Sequence, residues 1–139
     1  MKIHFKRLNQ AVHFQAFNED GQSVHIDGSP AVGGENAGMR PMQLVLTGLG
    51  ACSGIDVVDI LKKQRQPLKD MEIVIDGERE NKPAPSVFTN IIIHYTLIGD
   101  LDADKVRKAI ELSVDKYCSV ARMLEKTAKI EYTYEILPE

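Results

Sequence analysis

Pro41-Met42-Gln43-Leu44-Val45-Leu46-Thr47-Gly48-Leu49-Gly50-Ala51-Cys52-Ser53-Gly54-Ile55-Asp56-Val57-Val58 is apolar or small on nearly every side of a helical wheel. A surface helix carries its apolar residues as one stripe, so this pattern predicts a buried helix. Pro41 suits a first helical turn, and Pro67 puts the end near Arg65. Gly48, Gly50 and Gly54 each cost about 1 kcal/mol against alanine in a helix interior. That sacrifice predicts a close neighbour, either another element or a twin helix from a second subunit. The same small residues flank Cys52 and leave room around its sulfur.

Outward from this helix the periodicity changes. Upstream, Ile3 and Phe5 alternate with His4 and Lys6, then Val12, Phe14 and Ala16 with His13 and Gln15, and Val24 with Ile26 marks a third short strand. Residues 29–38 read as loop. Downstream, Met71, Ile73 and Ile75 open a fourth strand, and a fifth runs from about Phe88 to Ile98. Asp102 can cap a second helix bearing Val106, Ile110, Val114 and Tyr117 at helical spacing, and Ser119 a third over Val120 to Thr127. Ile130 to Ile136 alternates as a final strand. The order βββ–α–ββ–αα–β has no repeated βα unit, which argues for an α+β fold with antiparallel sheets. No linker or internal repeat divides residues 1–139, so one domain is expected.

The 139 residues carry a net charge of −3 with scattered basic side chains, which is no footprint for nucleic acid. The N-terminal residues alternate and lack the apolar core of a signal peptide. The stretch Met42–Val58, with Gln43 and Asp56 inside it, is shorter than a membrane span of about 20 residues. A cytoplasmic location is the resulting expectation. There a structural disulfide is uncommon, and a cysteine pair is more often catalytic or metal-binding.

Two cysteines, Cys52 and Cys118, lie far apart in sequence, so only the fold could join them. Cys52 has small neutral neighbours, whereas Cys118 follows Lys116 and Tyr117. Each can be read as a small buried hydrophobe or as a reactive thiol. Asp56, four residues after Cys52, shares its helix face. A carboxylate there opposes thiol ionisation unless a cation neutralises it. His4, His13, His25 and His94 fall on separate strands away from both cysteines, so no metal site is expected. No glycine-rich phosphate motif follows a strand, so no nucleotide cofactor is expected either.

Read together, Pro41 to Leu46, Gly50-Ala51-Cys52-Ser53, Ile55 to Val58, Phe88-Thr89, Lys116 to Ala121 and Met123 to Lys126 form a pattern. It resembles, in order and over essentially the whole chain, the OsmC/Ohr family of peroxide-related proteins, most closely its YhfA-like branch. The resemblance implies an intertwined homodimer around paired central helices, with each site at the dimer interface. It also implies that Cys52 is the peroxidatic thiol and Cys118 the resolving thiol of an enzyme reducing organic hydroperoxides. An external dithiol, such as a lipoyl group, then closes the cycle.

An unperturbed thiol is only about 3% ionised at pH 7. A cation near Cys52 would raise that fraction and stabilise the leaving oxygen, and Arg40 at the head of the helix is the nearest in sequence. The chain departs from the peroxidase branches at one place. They carry a glutamate immediately after the helix-starting proline, where this chain has Met42, followed by Gln43. Their arginine lies further upstream, at a place this chain fills with residues 31–34. Met42, Gln43 and Asp56, with Glu35 as a stand-in carboxylate, are the expected substrate-contacting residues. The alternative is a protein on the same scaffold that binds a small apolar or electrophilic ligand without turning over peroxide.

Overall fold

The computed structural model describes all residues, Met1–Glu139. The chain forms two compact units, Met1–Val45 and Leu46–Glu139. The N-terminal unit holds strands β1 (Ile3–Arg7), β2 (Phe14–Asn18) and β3 (Ser23–Ile26), an antiparallel meander in the order β1-β2-β3. The alternation seen in the sequence sets its register, with Phe5 opposite Ala16 and Ala16 opposite Val24. After β3 the chain turns around Asp27, which is 1% exposed. Its carboxylate accepts backbone N–H groups of Gly28, Glu35 and Ala37 at 2.8–3.0 Å. Those bonds, from Ala37 and Glu35 foremost, hold the Asp27 carboxyl below its ordinary range.

Helix α1 (Pro41–Lys63) starts where the proline predicts. It stops two residues before Arg65, which adopts φ 55°. There the Gln66 N–H reaches the Leu61 carbonyl at 2.9 Å, closing the last turn in Schellman fashion. At 23 residues the helix is long and apolar enough to cross a membrane by length and composition alone, so the shorter stretch Met42–Val58 understated it. Leu49, Ser53, Gly54, Val57 and Leu61 are buried, so one face of the helix joins the core, while Ile55 and Val58 are exposed, short of the all-round burial expected.

The glycines of α1 separate into two kinds. A Cβ on Gly50 would stand 2.8 Å from Ile75 Cδ1, and one on Gly54 would stand 2.9 Å from Ile73 Cδ1. The close neighbour is therefore strand β4 (Asp70–Arg79). A Cβ on Gly48 would meet nothing within 4 Å. Gly48→Ala should consequently stabilise the folded chain by about 0.5–1 kcal/mol through helix propensity alone. A urea midpoint that falls instead would place a second chain against this turn.

In the second unit β5 (Phe88–Ile98) pairs antiparallel with β4 and parallel with β6 (Lys129–Leu137), in the order β4-β5-β6. The parallel pair departs from the all-antiparallel expectation. It arises because α2 (Ala103–Leu112), a π-helical turn (Ser113–Tyr117) and α3 (Ser119–Leu124) carry the chain back to the starting end of β5. Ile91, Ile93, Tyr95 and Leu97 point into the core with no exposure. A bulge opposite Glu78/Arg79 adds one residue to β5 and brings Phe88 onto that same face.

Asp102 caps α2 as expected, its side chain accepting from the Lys105 N–H at 3.0 Å. The cap of α3 is Cys118 rather than Ser119. Its Sγ accepts the Ala121 N–H at 3.4 Å, and α3 ends at Leu124 rather than Thr127.

Candidate active site

The two cysteines meet in the C-terminal unit. Cys52 Sγ, Cys118 Sγ and a carboxylate oxygen of Asp56 all lie within 4.8 Å of one another. Helix periodicity stacks Asp56 over Cys52, and the π-helical turn delivers Cys118. A π turn takes an i→i+5 bond, here Cys118 N–H to Ser113 O at 2.8 Å. The turn therefore ties the position of Cys118 directly to Ser113.

The two thiols are unequal. Both are free, Cys52 is partly exposed, and Cys118 is fully buried. Burial pushes the Cys118 thiol up from 9.0 to about 11. N–H groups of Ala121 and Val120 oppose that rise, and the neighbouring Cys52 adds to it. Cys118 is thus a protonated, sheltered thiol at neutral pH.

Behind the triad lies a polar network that sequence reasoning missed. Ser53 Oγ stands 2.5 Å from Tyr95 Oη and 2.9 Å from Ser113 Oγ. The Ser113 hydroxyl donates to Asp56 Oδ2 at 3.1 Å, with the Ser53 carbonyl a longer alternative at 3.3 Å. Counting protons gives the network a direction. An ionised carboxylate can only accept and each hydroxyl has one proton to give, so Tyr95 donates to Ser53, Ser53 to Ser113, and Ser113 to Asp56. Tyr95, Ser53 and Ser113 are all fully buried, so these bonds satisfy groups that water cannot reach. Burial pushes the Tyr95 hydroxyl up to about 12, against the lowering effect of its bond to Ser53. The available signal was a hydroxyl on an apolar face: Tyr95 among Ile91, Ile93 and Leu97, and Ser113 after Val106 and Ile110.

Both shifts raise an acid above its ordinary value, so the folded chain keeps protons that the unfolded chain releases. Stability should fall as pH rises from about 9 to 11 through Cys118, and from about 10 to 12 through Tyr95. Urea midpoints between pH 8 and 11 test this. Cys118→Ser should flatten the lower part of the decline.

Arg40, Met42, Gln43 and Glu35 belong to the N-terminal unit. The Arg40 guanidinium donates to the Gly38 carbonyl at 3.0 Å and to Asn36 Oδ1 at 3.4 Å. The Arg40 N–H donates to Gln43 Oε1 at 2.9 Å, so Gln43 caps the first turn of α1. Met42 is half-buried and Glu35 exposed. Glu35 contributes its backbone N–H to the Asp27 turn. Arg40, Gln43 and Glu35 thus each have a local structural task.

Comparison with known proteins places this geometry. The chain is 40% identical over 129 residues to protein YhfA of Escherichia coli strain K12, covering 92% of each chain. A protein of Aquifex aeolicus VF5, described as hypothetical, superimposes with a TM-score of 0.85 at 32% identity, covering 99% of this chain and 96% of that one. The organic hydroperoxide resistance protein OhrB of Bacillus subtilis shares the fold, with a TM-score of 0.68 at 19% identity and 96% of each chain covered. The profile of the family described as OsmC-like protein matches residues 33–133, and with this α+β architecture the chain belongs to that family.

Proposed function

We propose that the protein is a thiol-dependent reductase of organic hydroperoxides, working through Cys52 and Cys118. The observation that carries this reading is two free sulfurs within 4.8 Å, one partly exposed and the other sealed from solvent. The names of structural neighbours, organic hydroperoxide resistance proteins among them, point the same way.

The Cys52 thiolate attacks the distal peroxide oxygen, the O–O bond breaks, and the departing alkoxide takes up a proton as an alcohol. Cys52 is left as a sulfenic acid. Cys118 then attacks that sulfur, and the hydroxyl leaves as water with the proton Cys118 gives up. The resulting disulfide is reduced by exchange with an external dithiol, which becomes oxidised in turn. Proximity suits the second step, because a buried neighbour reaches the sulfenic acid before solvent thiols do. Arg40 is the assisting cation in this reading, and Met42, Gln43, Glu35 and Asp56 contact substrate.

We also take the working form to be a homodimer. Ile55 and Val58 on α1 are 71% and 44% exposed, apolar area that a second chain would cover.

One observation favours the alternative of a small-ligand binding protein. The group within 4.8 Å of both sulfurs is the Asp56 carboxylate rather than a cation that would assist a thiolate nucleophile. Stopped-flow mixing of the reduced protein with cumene hydroperoxide and with hydrogen peroxide separates the two readings. A reductase consumes cumene hydroperoxide orders of magnitude faster than free cysteine does. A rate no better than free cysteine would hand the site to the binding reading.

A further inference from the structure

Cys52, Cys118 and Asp56 bring two sulfurs and a carboxylate oxygen together, and hydrogen bonds hold two of the three in place. Asp56 receives the end of the Tyr95–Ser53–Ser113 hydroxyl chain, which orients its carboxylate. Cys118 Sγ accepts the Ala121 N–H, a bond that equally supports a thiolate. No Lys, Arg or His of the C-terminal unit pairs with Asp56. Asp56 also lines an open cavity of about 610 Å³ with Asp59, Ile60, Lys63, Gln64, Leu112 and Tyr117, where Lys63 is paired with Asp59. The Oε1 of Gln64 is buried without a hydrogen-bond partner, an acceptor for a water in that space.

From these observations we infer that Cys52, Cys118 and Asp56 form a binding site for a thiophilic divalent cation, zinc by preference. Three ligand atoms on one tetrahedral zinc, with Zn–S about 2.3 Å, must sit about 3.5–3.8 Å apart. The observed spread, at most 4.8 Å, closes to that with side-chain adjustments of about 1 Å. Two thiolates with one carboxylate suit zinc better than copper(I), which prefers an all-soft set. Each thiol releases its proton to solvent as its sulfur binds, so the 2+ ion meets three negative ligands. The fourth position opens to solvent or to a small ligand. Ser113 is the hydrogen-bonding support behind the carboxylate ligand, the arrangement that tunes metal sites. Local sequence spacing could not show this site, because Cys118 reaches it only through the fold.

The inference is independent of the peroxide reading, since it concerns metal affinity of the reduced protein. It has one consequence for that reading: a zinc-bound pair cannot form its disulfide until the metal leaves.

The test is titration of the fully reduced protein with zinc against a chromophoric chelator, and with cobalt(II) followed by absorption. The expected result is one ion per chain with submicromolar affinity, and a cobalt complex showing sulfur-to-metal charge transfer and tetrahedral d–d bands. Cys52→Ser and Cys118→Ser should each weaken zinc by 100-fold or more, and alkylation of the wild type should do the same without any substitution. Asp56→Asn should weaken it at least 10-fold and Ser113→Ala by about 10-fold. Asp104→Asn, at the exposed start of α2, should leave it unchanged. Affinity weaker than about 10 μM, cobalt spectra without sulfur charge transfer, or binding indifferent to Asp56→Asn would each overturn the site.

Discussion

Cys52→Ser is expected to abolish peroxide-driven oxidation of the protein, whereas Cys118→Ser should still react once and stop as a sulfenic acid. The difference follows from exposure. Cys52 is partly exposed, whereas Cys118 is fully buried and its thiol lies at about 11. A thiol there is ionised to about one part in ten thousand at pH 7, too little to compete for peroxide. It can still resolve a sulfenic acid held within 4.8 Å, because proximity replaces concentration. The resolving step should therefore accelerate about 10-fold per pH unit from pH 7 to 10. Dimedone trapping and intact-mass measurement after one equivalent of cumene hydroperoxide would read both variants. Trapping on Cys118 in the Cys52→Ser protein would reverse the assigned roles, and a pH-independent resolving step would remove the need for a Cys118 thiolate.

The second large effect is on stability. Ser113→Ala should destabilise the fold by about 2–3 kcal/mol, more than any exposed polar substitution. Ser113 both accepts from Ser53 and donates to Asp56, so its loss strands the buried Ser53 hydroxyl, costing about 1–3 kcal/mol, and takes a donor from the half-buried Asp56 carboxylate. Tyr95→Phe removes only the terminal donor and should cost about 1 kcal/mol. The double variant should cost less than the sum, because both substitutions break one chain of bonds. Urea unfolding under reducing conditions measures all three. A Ser113→Ala loss below about 0.5 kcal/mol would show that the hydroxyl chain is replaceable by water.

The sequence by itself determined a large part of the architecture. Period-2 alternation placed five of the six strands within a few residues and missed only where β4 continues beyond Ile75 to Arg79. The apolar pattern identified α1 as a helix of the core, though not the exposure of Ile55 and Val58, and its glycines announced a close neighbour, because backbone sterics and burial are written locally. Helix spacing also put Asp56 on the face of Cys52.

Tertiary structure alone decided the rest. The neighbour of Gly50 and Gly54 is β4, a pairing between distant segments that no local period encodes. The parallel run of β5 and β6 depends on where a crossover of two helices and a π turn returns the chain. That same π turn brings Cys118 to Cys52 and makes it, rather than Ser119, the cap of α3. The hydroxyl chain from Tyr95 to Asp56 joins a strand, the core helix and the start of the π turn. Each hydroxyl looks ordinary in its own segment, and only burial, which removes water as a partner, obliges the three to satisfy one another.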